Sequence, residues 1–209
     1  MTIFYIDTTS SYLYTGIVKD NKLINERCEC LGHNLSCITL NEVSKMFKES
    51  KLEPNDVDKI IVVNGPGSFT GIRIGVTLAK LFAFCFNKEI TTISSLEAMS
   101  KSIETDKLIV PIIDARREAC YASIYENDKC IMEGEYLTLE KLNLFLQGLG
   151  KAYVFVSSDH FSFETVKYNP DILRIVTFYQ DRKNINPHLV NPSYLKLTEA
   201  EENKIKEVS

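Results

Sequence analysis

The chain has 209 residues, of which 44% are hydrophobic and 25% are charged, a composition that excludes a disordered or fibrous protein. This length fits one ordinary domain or two small lobes. The net charge is −4, and the 11 basic and 12 acidic residues of the first half (1–105) nearly balance, so neither the whole chain nor its first half forms a basic patch for binding nucleic acid by itself.

The six cysteines include no C-x-x-C pair, which argues against a zinc ribbon or a dithiol redox motif. Most of them lie in apolar runs, so we expect reduced thiols that pack as small core residues in a cytoplasmic protein. The first ten residues lack the pattern of a secretory signal. The longest apolar stretch, 72–86, contains Arg73 and Lys80, and we expect it to be too short and too charged to span a membrane.

The first half of the sequence alternates strand and helix signals, which predicts an α/β layer architecture. Apolar, β-branched runs separated by the Asp20-Asn21 turn predict three opening strands that form a meander. In chain order the predicted elements are strands at 3–7, 12–18 and from 23, a helix at 34–51, a strand at 60–63, a helix at 70–86, a strand at 90–93 and a helix at 95–103.

The second half of the sequence restarts the same pattern. When the sequence is shifted by 107 residues, residues 4–24 align without a gap with residues 111–131, and six of the pairs are identical. We therefore predict two related lobes, each opening with a meander, joined near residues 104–107. The other predicted elements are strands at 108–113 and 120–125, a helix at 138–147, and strands at 153–157 and 173–177.

The first predicted strand ends in a polar turn, Asp7-Thr8-Thr9-Ser10. Hydroxyls and backbone amides in such a turn can hold a phosphate, and an aspartate at a strand end can hold Mg²⁺ through water. The same residues also serve simply to satisfy the backbone groups of the turn, which is the interpretation we favour. The matching turn of the second lobe, 114–118, reads Asp-Ala-Arg-Arg-Glu and lacks the glycines of a second phosphate loop.

A glycine-rich loop at 65–71 joins a predicted strand to a predicted helix, which is where phosphate sites occur. The loop matches neither the P-loop pattern nor the dinucleotide-binding pattern. Gly65 and Gly67 instead suit a turn with unusual backbone angles, and Ser68 or Thr70 can cap the helix that follows.

The helix predicted at 70–86 has small residues at every fourth position, and most of its other residues are large and apolar. The small residues are Gly71, Gly75, Ala79 and Ala83, and the polar residues are confined mainly to Arg73, Thr77 and Lys80. Two interpretations stay open. The helix packs closely on the chain's own sheet, or one side meets the sheet while the other meets a partner subunit.

Histidine is scarce, and no arrangement typical of a metal site or of a catalytic triad is present in the sequence. Cys37 follows His33 by four residues, a spacing that a solvated helix start explains better than a metal site does. We therefore predict no catalytic residue and no metal ligand.

Four segments together resemble the bacterial TsaB (YeaZ) family. They are IDTT at 6–9, GPGSFTGIRIG at 65–75, IDAR at 113–116 and PSYLK at 192–196. The resemblance spans nearly the whole chain and implies an α/β, two-lobed actin/hexokinase-like (ASKHA) fold, a duplicated β-meander plus helices with a truncated second lobe. The domains implied are a first lobe at 1–105, a smaller second lobe at 106–190 and a C-terminal tail at 191–209 that packs back on the first lobe.

The resemblance also implies a non-catalytic subunit. Proteins of this family pair with the larger paralogue TsaD, which carries the metal site and the transfer chemistry. Together with the ATPase TsaE, the pair places threonylcarbamoyl on the adenosine beside the anticodon of tRNA. This chain then requires no cofactor, because ATP and Mg²⁺ are used by its partners. It reaches tRNA only through the complex, involves no membrane, and forms a homodimer through the same surface when alone.

The contact helices of the family match residues from about 33 to 50 and from about 70 to 86. The implied partner-binding residues are His33, Ser36, Cys37, Leu40, Gly71, Ile72, Arg73, Gly75, Val76, Ala79 and Ala83, and Asp7, Thr8, Thr9 and Ser10 are at most a vestigial nucleotide site. Two alternative functions stay open. An actin-like ATP-binding phosphotransferase needs a second phosphate loop, and a glycoprotease-like peptidase needs a metal or a nucleophile triad.

Overall fold

Two five-stranded sheets with helices packed on their faces form the framework of the protein, whose computed structural model describes residues 1–196. The strands are β1 (Thr2–Asp7), β2 (Tyr12–Lys19), β3 (Lys22–Cys30), β4 (Lys59–Val63), β5 (Glu89–Ile93), β6 (Leu108–Asp114), β7 (Ala119–Glu126), β8 (Lys129–Thr138), β9 (Tyr153–Ser157) and β10 (Val166–Lys167). The helices are α1 (Leu35–Glu49), α2 (Phe69–Phe86), α3 (Ser95–Ser100), α4 (Leu139–Leu149) and α5 (Ile172–Tyr179).

The two sheets have the same topology, which agrees with the duplication predicted from the aligned segments. In the first sheet the order is β3-β2-β1-β4-β5, with β1 antiparallel to β2 and parallel to β4. In the second sheet the order is β8-β7-β6-β9-β10, with β6 antiparallel to β7 and parallel to β9. Each sheet is thus an antiparallel meander extended by two parallel strands, and the two-lobed α/β architecture is as predicted.

The second lobe is smaller because the connection between its two parallel strands contains no helix. In the first lobe, α2 connects β4 to β5, whereas in the second lobe residues 158–165 connect β9 to β10 without a helix, and β10 has only two residues. Only the first lobe therefore places a long helix beside the end of its first strand, which is where the candidate site lies.

Three apolar clusters hold the layers together. One lies between the first sheet and the pair α1 and α2, one lies between the two sheets, and one lies between the second sheet and α4. The middle cluster joins the halves of the chain, because α3 packs on strands of the second sheet while α5 packs on strands of the first. The two lobes therefore share the middle cluster.

The strand predicted at 173–177 is wrong, because these residues belong to helix α5. The Asp171 side chain accepts a hydrogen bond from the Arg174 amide at 2.9 Å and caps the helix. The residues that face the core have helical spacing: Ile172, Ile175, Val176 and Tyr179. Packing of that face outweighs the β-branched composition of the run, which favours a strand.

The expectation that most cysteines pack in the core is also wrong, since Cys120 alone of the six is buried. Cys28, Cys30 and Cys130 lie on β3 and β8, the edge strands of the two sheets, where one side is open to solvent. The other two, Cys37 and Cys85, lie on the outer faces of α1 and α2.

Helix α2 differs from the expectation for the apolar stretch at 72–86. It begins three residues earlier, at Phe69, and its 18 residues have a mean hydropathy of 1.5. By length and composition it is the one helix within residues 1–196 that could cross a membrane. Its inward side is part of the first core, so packing within the protein accounts for part of this hydropathy.

Candidate functional site

The polar turn at 7–10 lies beneath the start of α2 and is closed by the chain's own atoms. Asp7 Oδ1 accepts hydrogen bonds from the amide and the hydroxyl of Thr9, at 2.8 and 2.7 Å. The Thr8 hydroxyl donates to the Gly71 carbonyl at 2.7 Å, and the Ser68 amide donates to the Thr9 carbonyl at 2.7 Å. The Thr9 amide and the hydroxyls of Thr8 and Thr9 are thus engaged within the protein.

Solvent has little access to the first three residues of this turn. Asp7, Thr8 and Thr9 are buried, and Ser10 is half-buried. Burial raises the pKa of the Asp7 carboxyl from 3.8 to about 6, and the hydrogen bonds from Thr9 offset part of that rise. The geometry of Asp7 and Thr8 therefore agrees with a structural turn, whereas Thr9 and Ser10 line the cleft between the lobes, where a vestigial nucleotide site stays a prediction.

The small residues of α2 make this closed turn possible. A Cβ atom at position 71 would meet the Thr8 carbonyl oxygen, and one at position 75 would lie 2.5 Å from Thr8 Oγ1. Ala79 and Ala83 are 0% and 1% exposed. Glycine and alanine therefore let α2 approach the first sheet closely, a contact that both interpretations left open by the sequence include.

This packing corrects six of the eleven predicted partner-binding residues. The six are buried within the chain, so they cannot contact a partner directly: Gly71, Ile72, Gly75, Val76, Ala79 and Ala83. The other five are exposed: His33, Ser36, Cys37, Leu40 and Arg73. The side of α2 that carries the small residues therefore faces the chain's own core, and partner binding by the five exposed residues stays a prediction.

The outward side of α2 carries apolar residues that the sequence analysis did not select. Leu81 and Phe84 are 57% and 64% exposed, and Leu40 of α1 is 62% exposed. The two helices lie side by side, with the rings of Phe47 and Phe82 in contact beneath them at 5.8 Å between centroids. We define the helix face as Leu40, Ile74, Leu78, Leu81 and Phe84. Helical spacing of its α2 members was the signal in the sequence that could have identified it.

The C-terminal part of the described chain borders the helix face. A short 3₁₀ helix, Pro187–Leu189, runs beside α2. The Lys80 ammonium donates to the His188 carbonyl at 3.3 Å, and the His188 ring meets Phe84 edge-on with centroids 5.4 Å apart. Leu189 is 69% exposed and adds to the apolar area at this edge.

A cleft of about 810 Å³ separates the lobes and opens beside the N-terminal ends of α1 and α2. Residues that line it include Ser10, His33, Ser36 and Phe69 from the first lobe and Asp114, Arg116 and Asp159 from the second. On the second-lobe side, the Asp114 amide donates to Asp159 Oδ2 at 2.9 Å and the Arg116 amide donates to Asp114 Oδ1 at 2.8 Å. Burial raises the pKa of Asp159. These carboxylates hold the backbone of the turn at 114–118.

The turn at 114–118 has an unusual backbone. Arg116, Arg117 and Glu118 all adopt left-handed conformations, with φ of 64°, 53° and 58°. Such angles are costly for residues that have a Cβ atom. The side chains of both arginines are exposed, and neither pairs with a carboxylate of residues 1–196. Within the same residues, no group of three or more His, Cys, Asp or Glu side chains could hold a metal ion.

Comparison with known proteins gives the family. Residues 30–157 match the model of the TsaD family, tRNA N6-adenosine threonylcarbamoyltransferase. The TsaB protein of Bacillus subtilis, described as a tRNA threonylcarbamoyladenosine biosynthesis protein, is 31% identical over 96% of this chain and 96% of its own length. The Haemophilus influenzae protein of the same description is 33% identical over 62% of this chain and 56% of its own length.

Two solved structures agree in fold. YeaZ from Pseudomonas aeruginosa superposes with a TM-score of 0.77, and a Pseudomonas aeruginosa protein described as similar to peptidase YEAZ superposes with a TM-score of 0.80. Each is 18% identical, and the match covers 93% of this chain and 99% of the other. The shared two-lobed fold, with the identity to the Bacillus subtilis protein over nearly the full length of both chains, shows that this chain belongs to the TsaB (YeaZ) family of tRNA threonylcarbamoyladenosine biosynthesis proteins.

Proposed function

We propose that this chain is a non-catalytic subunit that binds a TsaD-like threonylcarbamoyltransferase through the helix face and holds it in an active arrangement in the cytoplasm. The observation that carries this proposal is the exposure of large apolar side chains, above all Leu81 and Phe84, on the outer side of the two helices. Clustered apolar surface of this kind marks interaction sites on soluble proteins. The match of residues 30–157 to the TsaD model supports a common ancestry of this chain and its expected partner.

The geometry of the cleft supports the non-catalytic part of the proposal. An actin-like phosphotransferase holds the phosphates of a nucleotide between two open loops, whereas here the first turn is hydrogen-bonded to α2 and the second carries two arginines in place of glycines. A peptidase needs an activated nucleophile, a metal-bound water or two carboxylates that activate a water together. The two aspartates on the second-lobe side of this cleft each accept a hydrogen bond from a backbone amide of the turn at 114–118, which supports a structural role for them.

The helix face also explains how a subunit without chemistry of its own would act. A partner that covers these side chains removes apolar area from water, and full burial of one leucine or phenylalanine side chain contributes about 1.5–3 kcal/mol. In this proposal a second copy of the chain covers the same face when the partner is absent, which gives a homodimer. ATP and Mg²⁺ are then used by the transferase and by a TsaE-like ATPase, and tRNA binds to the assembled complex.

Size-exclusion chromatography with light scattering tests the proposal. The chain is run alone and with the TsaD-like paralogue from the same organism, as wild type and as the double variant Leu81→Glu/Phe84→Glu. The matched control is Leu144→Glu/Phe145→Glu on α4, whose side chains are 61% and 43% exposed in the second lobe.

Wild type and control should form the heterodimer. The helix-face variant should lose at least 100-fold in affinity, a change of about 2.8 kcal/mol, because two buried contacts become two desolvated charges. Circular dichroism should show both variants folded. Equal binding by the helix-face variant and the control would contradict the assignment of this surface.

A further inference from the structure

An exposed stack of planar groups is built on Phe69, which lines the cleft from the first-lobe side. The rings of Phe69 and Tyr194 stack with centroids 5.3 Å apart, and the guanidinium carbon of Arg73 lies 3.7 Å from the centroid of the Phe69 ring. Arg73 Nε donates to the Tyr194 hydroxyl at 3.0 Å. Phe69 and Tyr194 keep 50% and 41% of their surface exposed. The stack therefore presents aromatic surface and a fixed cation to solvent at little cost in side-chain entropy.

The second-lobe side carries the two arginines of the turn at 114–118. Arg116 lines the cleft that Phe69 lines from the other lobe, and Arg117 follows it on the same turn. A backbone with three successive left-handed residues persists where the surrounding structure determines it, and here Asp114 accepts the hydrogen bond from the Arg116 amide. The costly turn thus holds one arginine in the cleft lining and a second exposed beside it, without carboxylate partners for either among residues 1–196.

We define the cleft rim as Phe69, Arg73, Tyr194, Arg116 and Arg117. Guanidinium groups bind phosphates through paired hydrogen bonds, and aromatic rings stack on unpaired bases. We propose that the cleft rim binds single-stranded RNA, and that the RNA is the anticodon loop of the tRNA being modified. The choice of this RNA rests on the proposed function, whereas the chemistry of the rim does not.

RNA fits this rim better than an acidic segment of a partner protein. An acidic peptide would pair with the arginines but would use the aromatic stack only where it also carries a planar or apolar side chain, whereas every nucleotide carries both a phosphate and a base. Hydroxyl side chains also line the cleft, and they suit the sugar and phosphate oxygens of RNA: Ser10, Ser36, Ser68, Thr70 and Ser158. Because the chain carries a net charge of −4, binding should be weak with the chain alone and stronger in the complex.

Fluorescence anisotropy with a labelled anticodon stem-loop RNA tests the proposal, with the chain alone and with its complex with the TsaD-like paralogue. The test variant is Arg116→Ala/Arg117→Ala. The matched control is Lys141→Ala/Lys151→Ala, which removes the same charge from exposed positions of the second lobe that do not line the cleft. Tyr194→Leu tests the aromatic part of the rim.

The arginine variant should lose about tenfold or more in affinity and about 2 from the slope of log K against log salt, one for each phosphate contact. Tyr194→Leu should lower the affinity about fivefold or more without changing that slope, since stacking on a base contributes about 1–3 kcal/mol. Equal affinities of the arginine variant and the lysine control would overturn the proposal.

Two further outcomes separate the proposals. If the arginine variant no longer binds the paralogue while its affinity for RNA is unchanged, the rim contacts protein and the RNA proposal is wrong. If the wild-type chain does not bind the paralogue, the proposed function fails. The RNA affinity of the chain alone then tests whether the cleft rim binds RNA. Arginine-dependent RNA binding then supports the proposal, and equal binding by wild type and variant contradicts it.

Discussion

The buried carboxyl of Asp7 gives a quantitative test of the closed turn at the end of β1. The residue is 1% exposed, and burial raises its pKa from 3.8 to about 6. The difference corresponds to about 3 kcal/mol by which the fold disfavours the ionised carboxyl at neutral pH. Because the folded-state pKa lies above that of the unfolded chain, this penalty is absent below about pH 4 and is complete above about pH 6.

Asp7→Asn should therefore stabilise the protein at pH 7.5. The asparagine Oδ1 can keep the two hydrogen bonds from Thr9, at 2.8 and 2.7 Å, while its amide adds donors that need acceptors. We expect a net gain of about 1–3 kcal/mol, which raises Tm by about 2–4 °C per kcal/mol for a chain of this size. Differential scanning fluorimetry measures the gain at pH 7.5 and again at pH 4, where it should vanish.

Asp20→Asn is the matched control, because Asp20 is exposed and the N-terminal ammonium lowers its pKa. That variant should gain nothing at either pH. A gain from Asp7→Asn that is no larger at pH 7.5 than at pH 4 would contradict a burial penalty on the ionised Asp7 carboxyl, and with it the closed turn.

Two further substitutions test the packing by urea unfolding. Gly71→Ala should lower the free energy of unfolding by about 1–3 kcal/mol, since its Cβ atom would meet the Thr8 carbonyl oxygen. The control Gly148→Ala in α4, where a Cβ atom has nothing within 4 Å, should raise it by up to about 1 kcal/mol. Equal effects of the two substitutions would contradict the close approach of α2. Lys59→Met should lower the free energy of unfolding by about 1–3 kcal/mol, because the buried ammonium donates to the carbonyls of Gln180 and Arg182 at 2.7 and 2.6 Å. The variant should therefore have a lower urea midpoint, and an unchanged midpoint would contradict a stabilising role for these two hydrogen bonds.

The duplicated framework could be predicted because its signals are local. A strand that ends in an aspartate, a polar turn and a second strand that ends in an Asn/Asp turn recur after 107 residues, and the two sheets repeat the same order. Helix α5 could not be predicted in this way. Its short β-branched run fits a strand or a buried helix, and only its packing against the first sheet decides between them. The tail predicted to pack on the first lobe does so at Ser193, whose amide donates to the Asn64 carbonyl at 2.7 Å, while 197–209 lie outside the described residues.

The candidate site shows where sequence reasoning stops. The stripe of small residues on α2 correctly indicated a close approach, but the sequence does not say whether the neighbour is Thr8 of the same chain or another protein. The exposure of Leu81 and Phe84 depends on which side of the helix the sheet covers, which is a tertiary property. None of the three left-handed residues at 116–118 is a glycine, so the sequence gives no signal of a left-handed turn, and only the structure identifies its backbone as costly.

Reconstituted threonylcarbamoylation of tRNA tests the proposed role of the chain most directly. The TsaD-like paralogue and a TsaE-like ATPase are assayed with ATP, Mg²⁺ and threonylcarbamoyl donor, with and without this chain. We predict turnover only when the chain is present, no turnover by the chain alone, and loss of turnover with Leu81→Glu/Phe84→Glu but not with Leu144→Glu/Phe145→Glu. Full activity without the chain, or with the helix-face variant, would contradict the proposal that this surface activates the transferase.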